Sequence, residues 1–242
     1  MRLRNKIFII FISTCLGICC VIGILTRQSF YTDVDAKHLF KEIEDFKIDL
    51  AENSPLSKIY FEDNIDNLAQ LKEKADLIVK VSVTDNRKIF NLALLSNVNV
   101  LDIYKGKNIK ENDNIYIYEP FSLGINTCEI ENGYIPIKKD EEYIFFLKHL
   151  KIPNGYKYKG KEKITYIPVS TIFSKYNLMN ETNTKPINKA ILNNGIEFIK
   201  VKNMDILTTN MNILKKYNTL KEQVHYMISK DCVYQNKRVD YP

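Results

Sequence analysis

From Ile7 to Leu25 the chain carries no charge for nineteen residues, Ser13 and Thr14 are the only hydroxyl side chains there, and Arg2, Arg4 and Lys6 precede the stretch. At 1.5 Å rise per residue such a run covers about 28 Å as a helix, close to the hydrocarbon thickness of a bilayer. The pattern predicts a membrane span over 7–25. Three basic residues lie before the span and only Arg27 lies between it and Asp33. The positive-inside rule therefore puts residues 1–6 in the cytoplasm and everything after the span outside it, a single-pass arrangement. The exit Ile24-Leu25-Thr26-Arg27-Gln28 lacks the small residues of a cleavage site, so the segment reads as an uncleaved signal anchor. Cys15, Cys19 and Cys20 follow Thr14, Ile18 and Cys19, not the small residue that precedes a lipid-attachment cysteine. They read as apolar filler.

Beyond the span the periodicity changes twice. Leu39, Phe40, Ile43, Phe46 and Leu50 recur at helical spacing, which predicts an amphipathic helix ended by Ser54-Pro55. A second helix, capped by Asp63, is expected through Ile65, Leu68 and Leu71, completing a stalk over 26–74. From Asp76 the period becomes two: Leu77, Val79, Val81 and Val83 alternate with Ile78, Lys80, Ser82 and Thr84. Further strands are predicted over Phe90 to Tyr104, Ile115 to Tyr118 (stopped by Pro120), Tyr143 to Leu150 and Ile164 to Val169. Pro153-Asn154-Gly155 predicts a turn into a short strand over Tyr156 to Lys159. Ile213, Tyr217, Leu220, Val224 and Met227 then predict a helix over Asn212 to Ser229, within a C-terminal extension 177–242 that packs on the β-rich part. The expected fold class is an N-terminal transmembrane helix followed by a mainly β, α+β exported domain, an OB-like antiparallel barrel over 75–176 with flanking helices.

Composition adds less than position does. With 242 residues, 45% apolar and 26% charged, the chain can bury a core and is neither wholly disordered nor collagen-like. The net charge of +6 shrinks once it is placed: residues 1–28 hold four of those positives and no acid, leaving about +2 for the rest. That is not the electrostatic footprint of a nucleic-acid binder, and nucleic acid is excluded as a partner.

The β-rich part holds a series of motifs: Ala75-Asp76-Leu77-Ile78-Val79, then Val98-Asn99-Val100-Leu101-Asp102-Ile103-Tyr104-Lys105-Gly106, then Cys128, then Lys138-Lys139-Asp140-Glu141-Glu142-Tyr143-Ile144-Phe145-Phe146-Leu147. Over about a third of the chain this order resembles the netrin-module and metalloprotease-inhibitor (TIMP-like) barrels. It is also similar to membrane-anchored exported proteins of Gram-positive bacteria. The resemblance implies an OB-type five-stranded barrel. Inhibitors of that family ligate the protease metal through a free N-terminal cysteine, whereas the exported part here has no cysteine before Cys128. Only Cys128 matches a cysteine position of that family, so the resemblance extends to architecture and not to metalloprotease inhibition.

Candidate chemistry is sparse. Cys128 and Cys232 lie in a compartment where disulfides persist. A bridge between them would close a loop of about 100 residues, worth about 4–5 kcal/mol in the chain-entropy treatment. Two unpaired buried thiols, or a Cys128 nucleophile acting with His149 and Asp140, are the alternatives. His38, His149 and His225 form no metal-ligand spacing, and Asp140-Glu141-Glu142 reads as a solvated turn, so no metal or cofactor is expected. The segment from Lys148 to Lys163 sets Lys151, Lys157, Lys159 and Lys161 beside Tyr156 and Tyr158, a surface suited to anionic wall polymer or lipid headgroups. The same alternation is also that of a half-buried edge hairpin guarded by lysines. The expected function is a non-enzymatic binding or scaffolding domain tethered at the cell surface. Its partners would be membrane lipid through the span and an envelope protein or anionic polymer outside. A cell-envelope thiol enzyme or hydrolase around Cys128 and His149 is the alternative.

Overall fold

The computed structural model describes residues 3–29, 36, 38–52, 54–62, 64–90, 92–179 and 185–239, of which 3–5, 27–29, 56 and 231–239 are described as backbone only. The chain divides into two units, Met1–Val34 and Asp35–Pro242. In the first, helix α1 (Leu3–Ser29) contains a 21-residue stretch from Lys6 to Thr26 long and apolar enough to cross a membrane. Its apolar side chains are exposed, Phe11 by 65% and Leu16 by 61%. The Thr14 hydroxyl donates back to the Ile10 carbonyl at 2.9 Å, so this polar group is satisfied within the helix.

The second unit opens with α2 (Leu39–Glu42), β1 (Lys47–Ala51), α3 (Pro55–Tyr60) and α4 (Leu68–Lys74). Next come β2 (Leu77–Ile89), β3 (Leu94–Lys105), β4 (Asn114–Glu119), β5 (Phe121–Gly124), β6 (Thr127–Glu131) and β7 (Glu142–Lys148). A 3-10 turn (Gly160–Ile164), β8 (Thr165–Pro168), β9 (Lys175–Asn177), α5 (Lys189–Asn193), a second 3-10 turn (Phe198–Lys200) and α6 (Met211–Val239) complete it.

Strands β2, β3, β4, β8 and β7 pair in that order, and β7 pairs back with β2, which closes a five-stranded barrel. The expectation of an antiparallel barrel is corrected here. β4 and β8 run parallel, Tyr116 opposite Thr165 and Ile117 opposite Tyr166. A ring with an odd number of strands cannot alternate direction all the way round, so one pair must be parallel. β9 extends the free part of the β7 edge, and a separate three-stranded sheet has the order β1-β6-β5 with β1 parallel to β6.

Alternation sorts the side chains. Leu77, Val79, Val81, Val83, Val98, Val100, Ile115, Ile117, Tyr143, Phe145 and Leu147 form one buried cluster, the barrel interior. Their neighbours Ile78, Ile144 and Phe146 point the other way, into a second cluster with Leu71 of α4 and Leu214, Tyr217, Leu220 and Val224 of α6. Both faces of β7 are thereby buried, which explains its unbroken apolar run. The rings of Tyr176 and Tyr217 stack at 5.2 Å within this second cluster. Lys221 of α6 meets Asp205 at 2.7 Å with 3% and 1% of their side chains exposed.

Several local expectations change. The amphipathic pattern of 39–50 is one short helix and one strand: Leu39 and Ile43 are buried around α2, and Ile48 is buried on β1. Ser54-Pro55 starts a helix instead of ending one, because Ser54 accepts the Ser57 N–H at 3.1 Å as N-cap and Pro55 occupies the first turn, where no amide partner is needed. The next helix is capped by Asn67, whose side chain accepts from Gln70; Asp63 lies outside the described residues. The expected strand over Tyr156 to Lys159 is a loop leading into the first 3-10 turn, where Glu162 accepts the Lys159 N–H at 2.8 Å.

Candidate functional site

The chain leaves the barrel at a corner. β4 ends on Glu119, Pro120 supplies no ladder N–H, and β5 begins at Phe121 in the other sheet. Beside this corner lies a cleft of about 360 Å³. One wall comes from the small sheet (Ala51, Ser122, Glu129, Ile130, Glu131), one from α3 and its exit (Ser57, Tyr60, Phe61), and one from the barrel (Tyr118, Glu119, Ile167). Leu92 and Ala93 from the β2–β3 connection and Leu150 from the β7–β8 loop also line it. An apolar cleft with a few placed polar groups is the usual form of a small ligand site.

The polar groups in that lining are oxygens, and among its described residues there is no Lys, Arg or His. Glu119 is fully buried. Its carboxylate accepts from the Ser96 hydroxyl on one oxygen, and from Tyr134 Oη at 2.9 Å and the Ile137 N–H at 2.8 Å on the other. Three neutral donors satisfy the oxygens of this buried side chain. Burial, reinforced by Glu119, pushes the Tyr134 hydroxyl well above its ordinary pKa, which keeps it a donor. Glu129 and Glu131 stand two apart on β6 and so share a face. Ser122, directly opposite Glu129 on β5, donates to its Oε2 at 2.7 Å. Glu131 Oε1 is shut off from solvent and accepts no hydrogen bond among the described residues. Nor does any of the three glutamates form an ion pair among the described residues.

Behind the corner sits Lys175, buried, its Nζ donating to the Ile135 carbonyl and lying 4.4 Å from the Tyr134 ring centroid. Burial lowers its pKa to about 8, against the pull of Glu119, Asp205 and Glu141. A second groove, of about 570 Å³, lies between α4, α6 and the barrel and carries Lys72, Lys105 and Lys230 beside Tyr104 and Tyr226.

The residues expected from sequence fall elsewhere. Lys151, Lys157, Lys159 and Lys161 are all exposed on the β7–β8 loop. Lys159 sits 5.7 Å from the Tyr156 ring centroid, Lys161 sits 5.0 Å from that of Tyr116, and Tyr156 donates to Glu162. Tyr158 turns back and donates to the carbonyl of Leu150, a cleft-lining residue. Cys128, on β6 between Ile48 and Leu123, is a buried free thiol whose pKa burial pushes up to about 12. Cys232 falls on α6, where its side chain lies outside the described residues. His149 packs on Tyr166 at 4.3 Å between ring centroids, and its backbone N–H donates to Asp76 at 2.9 Å; Asp140 occupies a turn at φ 60°. Among the described contacts, none joins Cys128, His149 and Asp140. Sequence reading missed the three glutamates. The available signals were an acid immediately before Pro120 and the period-two run Glu129-Ile130-Glu131.

No protein-family profile matches the chain, and no curated protein sequence does.

Proposed function

We propose that this chain is a membrane-tethered, extracytoplasmic binding protein, with α1 as its single span and the cleft beside Glu119 as its ligand seat. The observation that carries this reading is the strand order. A barrel closing as β2-β3-β4-β8-β7 with a parallel β4–β8 pair is OB-like, and barrels of that type bind ligands between the connection of their first two strands and that of their last two. Those two connections here are the segments that supply Leu92 with Ala93 and Leu150 to the cleft lining. The resemblance of the motif order to netrin-module barrels points the same way. The charge asymmetry around the span supports a domain outside the membrane and an N-terminus in the cytoplasm.

The partner is an envelope component. The exposed lysines of the β7–β8 loop suit contact with anionic wall polymer beside the cleft. A buried thiol held near pKa 12 is a poor nucleophile, which favours binding over thiol chemistry. The test is labelling of intact cells with a membrane-impermeant maleimide, using Lys157→Cys and Lys6→Cys variants. Labelling at position 157 and protection at position 6, with the chain retained in carbonate-washed membranes, is the expected result. The reverse labelling, or release of the chain into the wash, refutes the tethered arrangement.

A further inference from the structure

The geometry points to a cationic side chain, the lysine or arginine of a partner protein, as the occupant of the cleft beside Glu119. This rests on reading that cleft as the ligand seat and adds the chemistry of what fills it. Size sets the first limit. About 360 Å³ is near the lower end of ligand pockets, room for one long side chain with its flanking backbone and not for a polymer strand. Shape sets the second. Phe61, Leu92, Phe121, Ile130, Leu150 and Ile167 give the walls an apolar character that fits the methylene stem of a lysine or arginine.

Charge complementarity selects the head group. Glu119, Glu129 and Glu131 all belong to the lining, which contains no described cation. The hydrogen-bond partners of Glu119 are neutral hydroxyls and an amide, and that of Glu129 is the Ser122 hydroxyl. Glu119 has Lys175 behind the corner as a counter-charge, so the negative charge left for an occupant is that of Glu129 and Glu131, which form no ion pair among the described residues. Glu131 Oε1 is closed to solvent and unpaired among the described residues, a buried acceptor in the cleft wall whose negative charge a cation in the cleft would stabilise through space. An anionic ligand would face the Glu129 and Glu131 carboxylates and be disfavoured.

The experiment uses the full chain in detergent micelles with alanine methyl groups isotopically labelled. Ala51 and Ala93 line the cleft, whereas Ala69 and Ala190 do not. Three capped peptides are titrated: acetyl-Ala-Lys-Ala-amide, its norleucine counterpart of similar stem without charge, and its glutamate counterpart. Saturable shifts of the Ala51 and Ala93 signals with the lysine peptide, at least about tenfold tighter than with norleucine, are expected, with no response to glutamate. Glu129→Gln, whose parent side chain is exposed, and Glu131→Gln, which keeps the shape, should each weaken the lysine peptide by about tenfold. Lys230→Gln, in the separate groove, should leave it unchanged. Equal binding of the norleucine peptide, or no effect of either glutamine variant, overturns the cation while leaving the cleft a ligand seat. Absence of any shift at Ala51 and Ala93 with all three peptides overturns the cation and the cleft together.

Discussion

Replacing Lys221 by Met should destabilise the domain by about 3 kcal/mol. The ion pair with Asp205, at 2.7 Å and almost wholly out of solvent, fastens α6 to the segment preceding it. Removing the lysine leaves a carboxylate buried without its main counter-charge, a change worth about 3–5 kcal/mol. The lower end applies because Lys175 also draws the Asp205 charge down. In an Asp205→Asn background the same lysine replacement strands no charge. The double variant should therefore lie about 1–2 kcal/mol below wild type and be more stable than Lys221→Met alone. Proton linkage supplies a second signature. Burial already raises the Asp205 pKa above its ordinary value, and losing Lys221 raises it further. The folded chain then keeps a proton that the unfolded chain releases, so stability rises as pH falls through the folded pKa. Urea unfolding of residues 35–242, followed by far-UV circular dichroism at pH 7.5 and 5.5, reads both effects, since that unit contains all the strands among the described residues and both core clusters. An equal loss from Lys221→Met in the wild-type and Asp205→Asn backgrounds, with no recovery at pH 5.5, would refute the account of a stranded charge.

Gly133→Ala should cost about 3 kcal/mol or more in the same assay. Gly133 sits at φ 86°, and a Cβ there would stand 1.9 Å from the Leu207 carbonyl oxygen, a backbone atom held by the bond from the Leu207 N–H to Gly133. Cys128 should resist iodoacetamide at pH 8 in the folded protein and react on unfolding in urea, as mass spectrometry will show; fast native labelling would contradict a thiol near pKa 12. Lys175, with its pKa lowered to about 8, binds fewer protons folded than unfolded from there up to the ordinary lysine value. Stability should consequently rise by about 1–2 kcal/mol between pH 8 and 9.5, and Lys175→Met should flatten that slope. The buried tyrosines, whose raised pKa values act in the opposite direction, limit the window to pH below 10.

The barrel was largely legible because its strands obey a local rule. Leu77 to Val83 and Ile115 to Tyr118 alternate, and Tyr143 to Leu147 is apolar on both faces, so their strand character needs no knowledge of partners. The small sheet was not legible. Ile43, Phe46 and Leu50 satisfy a helical period, yet Lys47 to Ala51 becomes a strand because β6, distant in sequence, offers it a parallel edge. A pairing of that kind leaves no mark in either segment alone. The candidate site depends on it: Glu129 and Glu131 join the lining of the cleft beside Glu119 only once β6 lies between β1 and β5. The basic β7–β8 loop was visible as composition, but its conformation was not. Glu162 and the Leu150 carbonyl capture Tyr156 and Tyr158, so the Tyr-Lys alternation that suggests a strand folds instead onto local acceptors.

The corner at Pro120 also bears on how occupancy of the cleft would be felt. β4 and β5 are consecutive in the chain but belong to different sheets, and the cleft draws its lining from both. Whatever sits there fastens the small sheet to the barrel, so opening either sheet would require releasing it. Amides of β1, β5 and β6 should then exchange with solvent more slowly when the cleft is filled, including those of residues that never touch the occupant. The β1–β6–β5 sheet is in this sense a gauge of occupancy, readable by hydrogen exchange at a distance from the contact itself.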